Sequence, residues 1–262
     1  MEFFDSHSHY NDEKFDKDRE EIIEQTYNDG ITKFVCAGYN IPSSKFSLEL
    51  AQKYNYIYSI VGISPNDIPQ TEEELWKSIE EISNIAVENR NKKIVAIGEI
   101  GLDYYWNTEN KELQKKAFIK QIELANKLEL PIVIHSRDAF IDTIDIIKNH
   151  KVNKAGIFHC CQQNQELVKQ ALQLGYYISF AGPITFKNSK NASAIIDMVP
   201  LEKMLIETDS PYLSPEPNRG QRNDCRNVKY VAQKIADLKG NSLEEVAKKT
   251  YENAMKIFEI EK

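Results

Sequence analysis

Nowhere in this chain do apolar residues run to the ~18 that a membrane-spanning helix requires, so no membrane segment is expected. The opening residues Met1-Glu2-Phe3-Phe4-Asp5 lack the basic stretch that begins a secretory signal, and a cytoplasmic protein is expected. Cysteine is scarce. Cys36, Cys160, Cys161 and Cys225 include no Cys-x-x-Cys spacing, so the expectation is free thiols in a reducing compartment. Glycine and serine never gather into a linker, no segment is of low complexity, and composition does not shift mid-chain. One domain over residues 1–262 is therefore expected. Positive charge is in deficit: 33 Lys and Arg face 40 Asp and Glu, a net −7. That balance argues against a protein that coats nucleic acid through bulk electrostatics. It leaves room for an enzyme that grips phosphate locally through metal ions and one or two arginines.

The chain does have the length of a barrel. Its 262 residues suit two domains or one α/β barrel, which takes about 250 residues. Short β-rich runs cover 3–6, 33–37, 56–63, 94–100, 132–135, 156–160, 177–181 and 204–208. Between them lie amphipathic stretches such as 18–28, 72–89, 109–128 and 164–174, with two more at 228–238 and 243–258. Leu113, Ala117, Ile122, Leu124 and Ala125 follow helical spacing. Alternation of this kind implies parallel strands joined by helical crossovers, either in a closed (β/α)8 TIM barrel or in a doubly wound open sheet.

The histidines decide between the two. His7 and His9 lie in Asp5-Ser6-His7-Ser8-His9, after Phe3-Phe4; His135 closes the run Pro131-Ile132-Val133-Ile134; His159 closes Gly156-Ile157-Phe158. Glu99 and Asp209 are read as strand-end carboxylates in the same way. Donors at the ends of strands 1, 4, 5, 6 and 8 would be strung along an open sheet, whereas in a barrel they form a ring and converge. The expectation is a single barrel with a metal-centred hydrolase site at the C-terminal ends of its strands.

His7 and His9, two apart on a strand, point the same way and can reach one ion. Imidazole suits zinc, cobalt or manganese, and added carboxylates also admit magnesium. Glu99, in Ala96-Ile97-Gly98-Glu99-Ile100-Gly101, is costly inside an apolar strand unless paired or bound to a cation, which makes it a candidate bridging ligand. Asp209, in Glu207-Thr208-Asp209-Ser210-Pro211, is a candidate ligand that can also take a proton from the attacking water. Glu207 is read as structural, holding a neighbouring basic residue. Arg219, in Pro215-Glu216-Pro217-Asn218-Arg219-Gly220, is a candidate phosphate grip, or else a solvated surface arginine. Arg137 has the same two readings, weighted toward structure. Tyr104, Tyr105 and Trp106 are aromatics on which a nucleobase can stack, although rim packing is the expected role of at least two of them. His150, at a helix end beside Lys148 and Lys151, is read as non-functional.

In this order the motifs resemble the TatD family of metal-dependent deoxyribonucleases, within the amidohydrolase-like barrels. The resemblance runs from Asp5 to Phe258. It rests on the Asp5–His9 motif, Gly98-Glu99-Ile100-Gly101-Leu102-Asp103-Tyr104, Pro131-Ile132-Val133-Ile134-His135-Ser136-Arg137-Asp138-Ala139, Glu207-Thr208-Asp209-Ser210-Pro211-Tyr212-Leu213 and the Arg219 loop. It implies two divalent metal ions (Mg, Mn or Zn): His7, His9, Glu99 and Asp209 would hold one, and Glu99, His135 and His159 the second. It also implies hydrolysis of DNA from the 3′ end by a metal-activated water, with Asp209 and Glu99 catalytic and Arg219, Ser64 and Asn223 on the substrate phosphate. DNA is the implied partner, and a monomer with no obligate protein partner is expected.

Three departures from the family pattern matter. Ser64 stands in Gly62-Ile63-Ser64-Pro65 where the family has histidine, and it cannot titrate near neutral pH. Gln162 and Gln163 follow His159-Cys160-Cys161 where a Ser-Gly turn is usual, and Cys225 replaces a proline. Since all the metal ligands remain, retained metal binding with altered rate or substrate preference is expected. The competing readings are hydrolysis of another ester or amide bond, such as that of D-aminoacyl-tRNA, and a catalytically impaired metal-binding scaffold.

Overall fold

The computed structural model describes every residue except 91, 92, 107, 162, 163 and 262. Its strands are β1 (Phe3–Ser8), β2 (Ile31–Ala37), β3 (Ile57–Val61), β4 (Ile94–Asp103), β5 (Ile132–Arg137), β6 (Ile157–Phe158), β7 (Tyr177–Phe180) and β8 (Met204–Ile206). Between them run α1 (Arg19–Asn28), α2 (Ile41–Lys53), α3 (Glu72–Asn89), α4 (Lys111–Leu128), α5 (Phe140–Asn149), α6 (Gln165–Gln173) and α7 (Ala192–Met198), and α8 (Val228–Lys239) and α9 (Leu243–Ile257) follow β8. The strands make one sheet in sequence order, and Ser8 bridges Ser210, just past β8, in parallel. A parallel sheet whose last strand returns to its first has the topology of a (β/α)8 barrel.

Every strand range expected from the sequence is occupied, because strands covered on both faces read as near-continuous apolar runs. Three helices have no range in the sequence reading, although His150 is expected at a helix end and caps α5. α2 carries Ser43, Ser44 and Ser47, which read as turn residues, yet Ser43 forms a capping box with Asn40 that starts the helix. α5 is rich in β-branched Ile and Thr, and α7 spans only seven residues, too few to display a helical period.

Two compact units make up the chain, residues 1–35 with 159–262, and residues 36–158. In the first, β7 and β8 pair in the register Ile178↔Met204, Ser179↔Leu205 and Phe180↔Ile206. The Ser6 hydroxyl on β1 bonds Ser179 Oγ at 3.0 Å and donates to the Ile206 carbonyl at 3.1 Å. Phe4 on the same strand stacks on Phe258 at 6.0 Å between ring centroids and meets the Tyr251 ring edge-on at 5.8 Å. Burying such a side chain contributes about 1.5–3 kcal/mol and docks α9 against β1. In the second unit, β4 pairs with both β3 and β5. Gln121 of α4, wholly buried, accepts from the Ile63 amide at 2.7 Å and donates to its carbonyl at 3.0 Å, which fixes the chain just past β3.

Candidate metal centre

In the first unit the exit of β1 meets the exit of β8. β8 ends at Ile206, and Asp209 lies three residues beyond it in the left-handed region at φ 54°. Its amide donates to the His7 carbonyl at 2.9 Å, and His9 N donates to the Ser210 carbonyl at 2.7 Å. This backbone pairing aligns the side chains. The Nε2 atoms of His7 and His9 lie 3.2 Å apart, with Asp209 Oδ1 3.1 Å from the latter and 3.8 Å from the former. One donor atom from each of the three lies within 4.8 Å of the others, and His7 and His9 are buried. Two imidazole nitrogens and a carboxylate converging on one point are a donor set that fits a divalent cation. Burial opposes ionisation of Asp209, but the His9 hydrogen bond and electrostatic attraction to His9, His159 and His7 outweigh it and hold the carboxyl below its ordinary range.

His159 stacks on His7 with ring centroids 4.2 Å apart and planes inclined by 16°. Its Nδ1 lies 3.3 Å from Glu207 Oε1, which also accepts from the Cys160 amide at 2.7 Å. Carboxylate–imidazole pairing of this kind orients metal-binding histidines. Glu207 therefore does hold a basic neighbour, and that neighbour is His159. Asp5 was assigned no role from the sequence, yet it is the clasp between the two exits. Its Oδ1 accepts from the amides of His7 at 3.2 Å and Thr208 at 3.0 Å, and its Oδ2 from the Thr208 hydroxyl at 2.6 Å. Burial pushes the Asp5 carboxyl up to about 7, although hydrogen bonds from Cys225, Thr208 and His7 oppose the shift.

The second unit holds the other candidates. Glu99 is not at a strand end, because β4 continues to Asp103. The register steps from Ile97↔Ile132 to Ile100↔Ile134, so an extra residue bulges out at Gly98–Glu99, and a bulge re-aims the side chain it carries. Glu99 Oε1 lies 3.0 Å from His135 Nδ1, and Asp103 Oδ2 lies 2.9 Å from His135 Nε2. Burial works against the Asp103 charge, but the hydrogen bond from His135, backbone donors and electrostatic attraction to His135 keep its pKa below the ordinary value. The glycines on either side of Glu99 let β5 approach closely. A Cβ on Gly101, at φ 135°, would sit 2.1 Å from the His135 carbonyl oxygen. Gly101→Ala is accordingly expected to destabilise the fold by ~2 kcal/mol or more in urea unfolding, since the conformation is open only to glycine and the neighbour is main chain.

A family model described as TatD related DNase matches residues 4–259. The chain belongs to the TatD family. It is 42% identical over 260 residues to the uncharacterized metal-dependent hydrolase YabD of Bacillus subtilis (strain 168), covering 98% of this chain and 99% of that one. It is 33% identical over 265 residues to the uncharacterized metal-dependent hydrolase YcfH of Escherichia coli (strain K12), covering 100% and 97%. The crystal structure of YJJV, a TatD homolog from Escherichia coli K12, superposes with a TM-score of 0.92 at 27% identity over 99% of this chain and 98% of that one. The molecule is thus a metal-dependent hydrolase of TatD type, and its barrel is the family's.

The three residues expected on the substrate phosphate fare differently. Arg219 is exposed, with its guanidinium 4.2 Å from the Phe186 ring centroid. Ser64 is buried, and its Oγ accepts from the Asn66 amide at 3.3 Å. Asn223 is a correction. It is wholly buried, and its Nδ2 donates to the carbonyls of Thr208 at 2.9 Å and Tyr212 at 2.6 Å. Its Oδ1 accepts from Asp224 N at 3.0 Å and Asn227 Nδ2 at 2.8 Å. All the hydrogen-bonding capacity of its amide goes into holding the loop, which leaves none for a phosphate. Gln162 and Gln163, the departure after His159, lie outside the described residues. The four cysteines are free thiols, and no described helix is long and apolar enough to cross a membrane.

Proposed function

We propose that this TatD-family hydrolase is a deoxyribonuclease that removes nucleotides from the 3′ end of DNA. The observation that carries the reading is the convergence of His7, His9 and Asp209 on one point, in a family whose model is described as TatD related DNase. In this reading His7, His9 and Asp209 would hold one divalent ion, with Glu99, His135 and His159 as the remaining candidate ligands. Bound ions of this class lower the pKa of water and offset charge building on a phosphoryl group. The chain's own contribution is orientation and proton handling. Glu207 and Asp103 hold the rings of His159 and His135. Asp209, kept ionised, accepts the proton of the attacking water. Arg219, rigidified on Phe186, grips a non-bridging phosphate oxygen.

The test is digestion of 3′- and 5′-labelled single-stranded DNA with magnesium, manganese, zinc or EDTA. A metal-dependent ladder shortening from the 3′ end, abolished by EDTA, is expected. Intact DNA with every metal, from protein that binds the ions calorimetrically, would overturn the nuclease reading and turn attention to aminoacyl-tRNA and other ester or amide substrates.

A further inference from the structure

β4 ends in an aromatic turn that core packing does not account for. Trp106 is 69% exposed and Tyr105 53%, and their rings meet edge to face at 4.8 Å between centroids. Exposed aromatics are usually mobile, but these are anchored. The amides of Tyr105 and Trp106 both donate to Asp103 Oδ1, at 2.9 and 3.0 Å, and the Tyr104 amide donates to the Arg137 carbonyl at 2.9 Å. The same Asp103 carboxylate holds His135 through its other oxygen. One buried acid thus fixes the aromatic turn to a candidate metal ligand. Arg137, itself exposed, lies 3.8 Å from the Tyr105 centroid and 5.5 Å from that of Trp106. A preorganised π-face beside a guanidinium matches one chemical unit, a flat heteroaromatic base attached to a phosphate.

We propose that Tyr105, Trp106 and Arg137 form a subsite for an unpaired nucleobase of the substrate strand, the base stacking on Trp106 and the adjoining phosphate pairing with Arg137. The proposal rests on the nuclease reading for the identity of the strand. Because single-strand stacking is sequence-tolerant, the subsite would select unpaired DNA over duplex without choosing among bases.

The test is binding of a short phosphorothioate single strand, which resists cleavage, to the metal-loaded protein, read by tryptophan fluorescence beside an abasic strand of equal length. Trp106→Ala, which leaves Trp76 as the remaining tryptophan, supplies the background signal. Quenching by the base-bearing strand alone is expected, lost in Trp106→Ala together with a roughly 5–100-fold weaker affinity. In cleavage assays the same variant should raise KM with kcat little changed, and lose that effect on the abasic strand. Equal quenching by both strands, or none, overturns the subsite even if DNA is cleaved normally. Base-dependent quenching by a protein that cleaves no DNA upholds the subsite and sinks the nuclease reading instead.

Discussion

Replacing Asp209 by Asn is expected to lower turnover of single-stranded DNA on the order of 10²–10⁴-fold, the range that a proton-transferring side chain contributes. The substitution preserves shape, so the turn at φ 54° and the Asp209 amide bond to the His7 carbonyl should persist. Two things change. The side chain can no longer accept a proton near neutral pH, and the negative charge facing His7 and His9 is gone. If the amide nitrogen turns toward His9 Nε2, now 3.1 Å from Oδ1, it donates into the lone pair a cation would use. Both effects act on the chemical step and on metal affinity. The measurements are kcat and KM on labelled DNA, with calorimetric titration of manganese into the metal-stripped variant. Unchanged kcat would remove Asp209 from the machinery; unchanged metal affinity with kcat lost would restrict it to proton transfer.

The contrast between Asp209 and its neighbours shows what could be read before the structure. Asp209 and the four histidines stand at or just beyond the ends of apolar runs, a signal that is local in sequence. Such runs also placed all eight strands, with errors only at their ends. Glu99 was recognised as an unusual acid, but its position was misjudged: an apolar run does not reveal that β4 bulges at Gly98–Glu99 and continues to Asp103. The carboxylates behind the candidate ligands were harder to see. Asp5 works through Thr208, 203 residues away, and Glu207 through His159, 48 residues away. Nothing near either acid in the chain announces its partner; only the assembled sheet brings them together. Asn223 went wrong for the converse reason. A polar residue in a loop rich in Asn, Asp and Arg reads as exposed, and its complete burial depends on carbonyls from Thr208 and Tyr212.

Asp5→Ala follows from that clasp and should be the most disruptive single change at the β1 and β8 exits. It strands four buried donors, the amides of His7 and Thr208, the Thr208 hydroxyl and the Cys225 thiol, in a site with 0% exposure at Asp5. Each unsatisfied donor costs about 1–3 kcal/mol, so a loss of ~3 kcal/mol or more is expected in urea unfolding. The gain from no longer burying a carboxylate, whose pKa is already pushed up to about 7, offsets only part of it. The damage is directional as well as energetic. Asp5 joins the segment carrying His7 to the one carrying Asp209, so loosening it should separate donors now within 4.8 Å of one another. Metal affinity is therefore expected to fall roughly 10–100-fold, as when a partner behind a ligand is removed. Thr208→Val, which deletes one of these donors and keeps the volume, should cost less on both readouts. If Asp5→Ala unfolds at the wild-type urea midpoint and binds manganese as tightly, Asp5 is not the clasp, and the backbone bonds between His7, Asp209 and Ser210 are sufficient to align the site.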